Sequence, residues 1–256
     1  MKLNKLPANR GMKWVIDGIS IFAQDPATII IFTASIQFVA IFAAKLSILG
    51  VLIKIISNYI IFFMAMSLGK AILHNDKNIF TKDIINTQTM QKGFIIGCLV
   101  SLITMMISLL SILPFAKEIY ILLENIDSFG ISKESIFNLE KLLKIPTVIT
   151  AMTILVFNIL LIFCMPIIVW NQTTLLKSLF FSTISVLHNI KPLAVYLTLW
   201  ITIFFLTEIL INFIFNILLS KTDLLILGLI IKTVNNSIFY ASLYPVYLDF
   251  FKQYTR

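Results

Sequence analysis

Charged side chains are scarce in this chain. Asp, Glu, Lys and Arg make up 12% of its 256 residues, against about 25% in soluble domains. That scarcity excludes an ordinary water-facing surface. Cysteine is nearly missing. Cys98 and Cys164 both lie inside apolar runs, which excludes a disulfide framework and any Cys-type zinc spacing. Both read as packed small hydrophobes. Glycine and proline are few, eight and seven, and Pro114, Pro166 and Pro245 account for most of the prolines near span interiors. The spans therefore lack the Gly/Pro-interrupted helices of secondary transporters. The two histidines, His74 and His188, stand far apart with no ligand spacing, and read as solvated or interfacial groups. There is no glycine-rich phosphate loop, no HExxH and no nucleophile elbow. No paired carboxylate or Ser/His/Asp set falls on one predicted surface. These absences point away from an enzyme, a metal and a cofactor. The formal net charge of +8 comes without an aromatic-basic groove, so it points to anionic lipid and not to nucleic acid.

What is abundant is apolar: 59% of the residues are hydrophobic and the mean hydropathy is +0.98. Runs of about 18 or more apolar residues read as transmembrane helices. Six follow: Ala27–Ala44, Leu46–Leu68, Gly93–Phe115, Pro146–Trp170, Leu193–Leu219 and Leu224–Leu248. The expected fold is one all-α membrane domain over 1–256, with six transmembrane helices and two interfacial amphipathic helices. Its parts are an amphipathic opening helix in 1–25, spans one to three over 27–115 and an outer loop over 116–145. Span four follows over 146–170, then a second amphipathic helix over 173–191, spans five and six over 193–248 and a tail over 249–256.

Lys2, Lys5, Arg10, Lys13, Lys70, Lys77, Lys82, Lys92, Lys177, Lys191, Lys252 and Arg256 fall on one side of these spans, twelve against six on the other. The positive-inside rule then puts both termini in the cytoplasm of a bacterial cell. Asp17 and Asp25 interrupt the first 25 residues, which are not expected to form a cleavable signal peptide. Trp170, at the inner end of span four, fits an aromatic belt.

The stretch "LPANRGMKWVIDGISIFAQDP" is too polar to span a bilayer and too apolar for a soluble tail. Wound as a helix, it places Lys13, Asp17, Ser20 and Gln24 on one narrow stripe, at steps of 4, 3 and 4. Trp14, Val15, Ile19, Ile21 and Phe22 cover the rest. A thin wet face and a broad apolar one suit the membrane interface. Pro26 breaks this helix and the first span begins. In "LLKSLFFSTISVLHNIKP", which opens with Lys177 beside the stripe, Ser178, Ser182, Ser185 and Asn189 repeat the same steps before Pro192. The recurrence is either an internal duplication of helix plus two-span hairpin or a coincidence of Ser-rich helices before prolines. In the outer loop, "KESIFNLEKLLK" gathers Ile136, Leu139, Leu142 and Leu143 on one side, which reads as a short helix on the outer leaflet.

Three ionisable residues lie inside spans. Lys54, Glu208 and Lys232 all fall roughly 12–17 Å below the outer surface, from a rise of about 1.5 Å per residue. Asn212, Asn235 and Asn236 are close in depth. A lone charge in hydrocarbon costs at least about 2.5 kcal/mol, so such groups face the bundle interior and pair. Glu208 is expected to pair with Lys54 or Lys232. The cluster reads as a latch between hairpins, as a polar cavity for an anion or lipid head group, or as a proton path. Gly93 and Gly97 form a GxxxG that admits a close helix neighbour. Asn158 is expected to make an interhelical hydrogen bond.

Arg10, Gly11, Trp14 and Pro26 at the start, Asn189 and Pro192 before the fifth span, and Ala241, Ser242, Tyr244, Tyr247, Asp249 and Phe251 at the end form a recognisable set. With them the chain resembles a group of uncharacterised inner-membrane proteins of proteobacteria. The architecture is also similar to the membrane domain attached to some glycerophosphodiester phosphodiesterases. The resemblance implies a six-span membrane fold and carries no catalytic residue. The expected role is a non-enzymatic scaffold or accessory subunit whose partners are membrane lipids or another membrane protein. The alternative is a small transporter, or a lipid- or anion-translocating protein, using the Lys54, Glu208 and Lys232 cluster.

Overall fold

The computed structural model describes residues 5–85, 87–129, 133–218 and 221–251. Among them no strand occurs, and the chain is an all-α polytopic membrane protein. In order the helices are α1 (Arg10–Gln24), α2 (Pro26–Ala44), α3 (Ser47–Leu73), α4 (Lys77–Ile85) and α5 (Thr87–Ile112). A 3₁₀ turn (Leu113–Phe115) leads to α6 (Ala116–Phe129). Then come α7 (Lys133–Leu161), α8 (Cys164–Trp170), α9 (Leu175–His188), α10 (Ile190–Leu218) and α11 (Lys221–Phe251). Among the described residues five stretches are long and apolar enough to cross a membrane: Pro26–Ala43, Gly50–Leu73, Met90–Leu122, Phe137–Trp170 and Ile190–Phe213. At 31 residues α11 also has the length, about 46 Å at the helical rise, and Leu224–Ile231 is apolar throughout apart from Gly228.

The elbow between α1 and α2 forms as the sequence predicts. Pro26 occupies the start of α2, where its missing N–H is no loss. Asp25 caps that helix, accepting from Thr28 N at 3.2 Å and from Thr28 Oγ1 at 2.7 Å. From the elbow both helices run along α11 in the antiparallel sense. Arg10 meets Asp249 and Gly18 lies against Ser242. Further on, Gln37 Oε1 accepts from Thr233 Oγ1 at 2.8 Å. On another flank of α11, α10 also runs antiparallel. Tyr196 and Ser242 share a hydrogen bond at 2.6 Å, and Asn235 donates to Thr207 Oγ1 at 2.8 Å. The end of the bundle that holds Arg10 and Asp249 is the first face.

The GxxxG expectation holds. A Cβ on Gly97 would strike the Ile56 backbone, and one on Gly93 would lie 2.8 Å from an Ile60 side-chain carbon. Bare glycine surface thus lets α3 and α5 close against each other. Tyr59, Phe63, Ile96 and Val100 fill that seam together with Cys164 and Met165.

Several expectations need correction. Span four is not continuous: α7 ends at Leu161 and α8 restarts at Cys164. Pro166 has no N–H to give the Ile162 carbonyl, and its ring clashes with the preceding turn. Ser182 Oγ donates to the Leu160 carbonyl at 2.7 Å beside the break. A Pro-interrupted span is therefore present after all. The outer loop is helical too. The third span runs on through the 3₁₀ turn into α6, and α7 is unbroken from Lys133 through Pro146. The expected leaflet helix is the start of a long rod. In it Leu139, Leu142 and Leu143 are half-buried and Glu140 and Lys141 exposed, while the side chain of Ile136 lies outside the described residues. The tail is no tail at 249–251: α11 continues to Phe251, and Phe250 and Phe251 are core residues. Residues 252–256 lie outside the described residues. Pro192 does not open the fifth span, since α10 begins two residues earlier. Asn158 Oδ1 is buried with no hydrogen-bond partner among the described residues.

The largest correction concerns α9. Ser178, Ser182, Ser185 and Asn189 are all fully buried, while Leu176 and Phe180 are exposed and so is Lys177. The polar stripe faces protein and the apolar side faces out. Small hydroxyl residues let helices approach closely in a membrane, and here each hydroxyl is satisfied at short range. Ser178 Oγ donates to the Leu175 carbonyl at 2.7 Å and lies 3.1 Å from Cys164 Sγ. Ser185 donates to the Ser182 carbonyl at 2.8 Å. In α1 the stripe behaves as expected: Lys13, Ser20 and Gln24 are exposed and Asp17 half-buried. The two stripes have opposite fates, so the shared 4, 3, 4 spacing does not mark a shared environment.

Candidate functional site

Two carboxylates at the first face gather buried polar and aromatic side chains around them. Asp249, in the last turn of α11, accepts from Arg10 Nε and from Trp14 Nε1, the latter at 2.7 Å. Arg10 also reaches Asp17 at 3.4 Å. The hydrogen bond that Arg10 donates to Asp249 raises the pKa of the guanidinium further above its usual value, with the nearby carboxylate charges adding to it against desolvation. Trp14, expected on a lipid-facing surface, is fully buried. Its ring packs edge-on to Tyr196 and Phe250, with centroids 5.8 and 5.5 Å away.

Glycine makes this approach feasible. A Cβ on Gly11 would collide with the Pro192 carbonyl, and one on Gly18 with Ser242. The segment before α1 is tied down as well, since Leu6 N donates to Asn189 Oδ1 at 2.9 Å. Asn189 therefore holds the α9–α10 joint and the start of the chain together.

The second carboxylate, Asp83 on α4, was not singled out in the sequence. It accepts from Ser67 Oγ at 2.7 Å and from Trp170 Nε1 at 2.9 Å. Lys70 Nζ sits 4.5 Å from the centre of the Trp170 ring, a cation–π arrangement. Tyr247 packs on the same indole at 4.8 Å and donates its hydroxyl to Asn171 Oδ1 at 2.7 Å. Trp170 is thus a fixed core element more than a free interfacial anchor. His74, which is exposed, has its Nε2 3.5 Å from the Tyr244 hydroxyl. His188 is exposed. Among the described residues no group of three His, Cys, Asp or Glu side chains could hold a metal.

Two cavities open beside α1. The larger, about 640 Å³, lies under the α1–α2 elbow. Its rim carries Gln24, Asp25, Thr28, Asn75 and Thr81, and its floor Leu68, Ala71, Ile72 and Phe80. The smaller, about 220 Å³, is bounded by Arg10, Asp17, Ser20 and Asp249 together with Leu73 and Pro245. Leu73 borders both. A hydrogen-bonding rim over an apolar floor matches an amphiphile.

The charges within the spans are only partly brought together. Glu208 and Lys232 form an ion pair at 2.8 Å, both side chains about half exposed. Lys54 is exposed on α3, whose neighbours include α5 and α11. The main neighbours of α10 are α1, α9 and α11. Of the asparagines, Asn235 bonds Thr207, Asn236 is half-buried and Asn212 exposed. The six polar residues therefore do not form one enclosed cluster.

Compared with known proteins, the chain matches no family model, no curated protein and no solved structure.

Proposed function

We propose that this protein is a non-enzymatic component of a bacterial cytoplasmic membrane, with both termini in the cytoplasm, that binds membrane lipid at its first face. The resemblance to proteobacterial inner-membrane proteins belongs to the same proposal. The observation that carries it is the cavity of about 640 Å³ under the α1–α2 elbow. Its floor accepts an acyl chain, and its rim offers amide and hydroxyl groups to an uncharged or zwitterionic head region. Asp25 is already engaged with Thr28, so the rim does not call for a strongly anionic head. The positive excess on this side of the spans brings the protein to anionic membranes in bulk, while the cavity selects by shape.

Glu208 pairs with Lys232 and not with Lys54, which speaks for a paired contact and against a three-charge translocation path. Filling the cavity tests the reading. Ala71, buried on its floor, becomes Phe, and lipid retained after mild detergent extraction is measured by native mass spectrometry. Ala71→Phe is expected to lower bound lipid several-fold with the helical circular dichroism unchanged. Equal lipid on both proteins would refute the site.

A further inference from the structure

The Glu208–Lys232 pair presents a surface that a single copy leaves unfinished. Its two side chains are in contact at 2.8 Å, yet stay 50% and 49% exposed. Counting about ten residues back from Leu218 and about eleven on from Lys221, the pair lies roughly 15 Å from the facing ends of α10 and α11. That is near mid-bilayer for helices of this length. Charges at this depth are almost always covered by protein or open to a wet cavity. The α10 surface leading up to the pair is apolar. Ile201 and Phe205 are 67% and 64% exposed, and with Glu208 and Asn212 they recur at steps of 4, 3 and 4 along α10. All four are exposed, in the spacing of a helix–helix seam.

We propose that this seam is the contact surface for a second copy of the chain. Two copies inserted in the same sense are related by a twofold axis along the bilayer normal. Such an axis sets the left side of one face against the right side of the other. Glu208 and Lys232 stand side by side at one depth, so Glu208 of each copy meets Lys232 of its mate. Four alternating charges then close into a neutral ring, walled off from lipid by Ile201 and Phe205. The face is self-complementary in charge, which a surface of one sign would not be. The inference is independent of the lipid cavity, which lies at the other end of the helices.

Charge reversal distinguishes pairing between copies from pairing within one. Differently tagged full-length chains are co-expressed and one tag is captured from detergent. Wild-type chains are expected to co-purify, and Ile201→Cys chains to be linked into a dimer in membranes by a flexible bismaleimide that reaches diagonally across the seam. Glu208→Lys chains paired with each other, or Lys232→Glu chains paired with each other, set like charges together and should lose co-purification by at least about tenfold. Mixing Glu208→Lys with Lys232→Glu should restore it, although within each chain the pair stays like-charged. Failure of wild-type copies to co-purify or cross-link overturns the proposal. So does a mixed pair as weak as its parents, or an Ile201→Cys link to a different protein. If the reversal variants do not accumulate, the Ile201→Cys link in the otherwise native chain decides alone.

Discussion

Trp14 and Asp249 are 235 residues apart and joined by one hydrogen bond of 2.7 Å. At the residue scale this contact explains why the chain opens with a stretch that is neither span nor tail. The indole needs an apolar wall and one acceptor, and α11 supplies both in its last turns. Asp249 in turn needs a cation, which Arg10 brings one helical turn before Trp14. The Asp249 side chain is 14% exposed, so its loss is felt. Asp249→Asn is expected to cost about 1.5–3 kcal/mol, the range for hydrogen bonds to charged groups. With Arg10→Gln the two changes should couple, so that the double variant loses less than the sum. Thermal unfolding in detergent across the four proteins measures this, and strict additivity would mean that the contact carries no energy. The sequence made Arg10, Trp14 and Asp249 visible as a set only through a resemblance. Hydropathy alone put Trp14 on the apolar side of α1 but could not tell a lipid neighbour from a protein neighbour. Asp83 was silent for the same reason: nothing local to α4 announces the Trp170 indole 87 residues on.

At the scale of the element, α1 and α9 show how one pattern serves two environments. Both carry polar residues at steps of 4, 3 and 4, and both precede a proline. In α1 the stripe contains Lys13, Asp17 and Gln24, whose charge or length favours water, and it stays outside. In α9 it consists of serines and Asn189, small enough to be bonded locally and buried. Side-chain size and charge, more than periodicity, decide which way such a stripe turns. The consequence is measurable with a membrane-impermeant maleimide on single-cysteine chains in open membranes. Lys177→Cys should label fast and Ser182→Cys hardly at all, whereas a water-facing stripe would make the two alike. The break between α7 and α8 belongs to the same scale. The effect of Pro166 is not legible in the sequence, because the run Pro146–Trp170 is largely apolar and composition hides a lost hydrogen bond. The extent of α7 was hidden by the reverse effect. Charges at Glu140, Lys141 and Lys144 read as loop, although a helix carries them equally well beyond the lipid.

At the scale of the molecule, the all-α membrane architecture was legible from six apolar runs, and five of them return as stretches able to cross a bilayer. The sixth is recognised by length and by its neighbours, since α2 and α10 flank it along much of its course. Less legible was the centre of the fold. α11 is the mast against which α1, α2, α3 and α10 all pack, and its polar residues, Thr233, Asn235 and Ser242, are spent on those neighbours. The contact of Arg10 with Asp249 has a topological consequence. If α1 closes on the last turn of α11, Arg10 and Asp249 lie on one side of the membrane, whatever the number of crossings. The most direct measurement of that claim is the sidedness of two single cysteines, Lys5→Cys and Thr255→Cys, probed with impermeant maleimide in spheroplasts and in inverted vesicles. Both are predicted to be protected in spheroplasts and reactive in inverted vesicles. Labelling of the two sites from opposite sides would contradict the account.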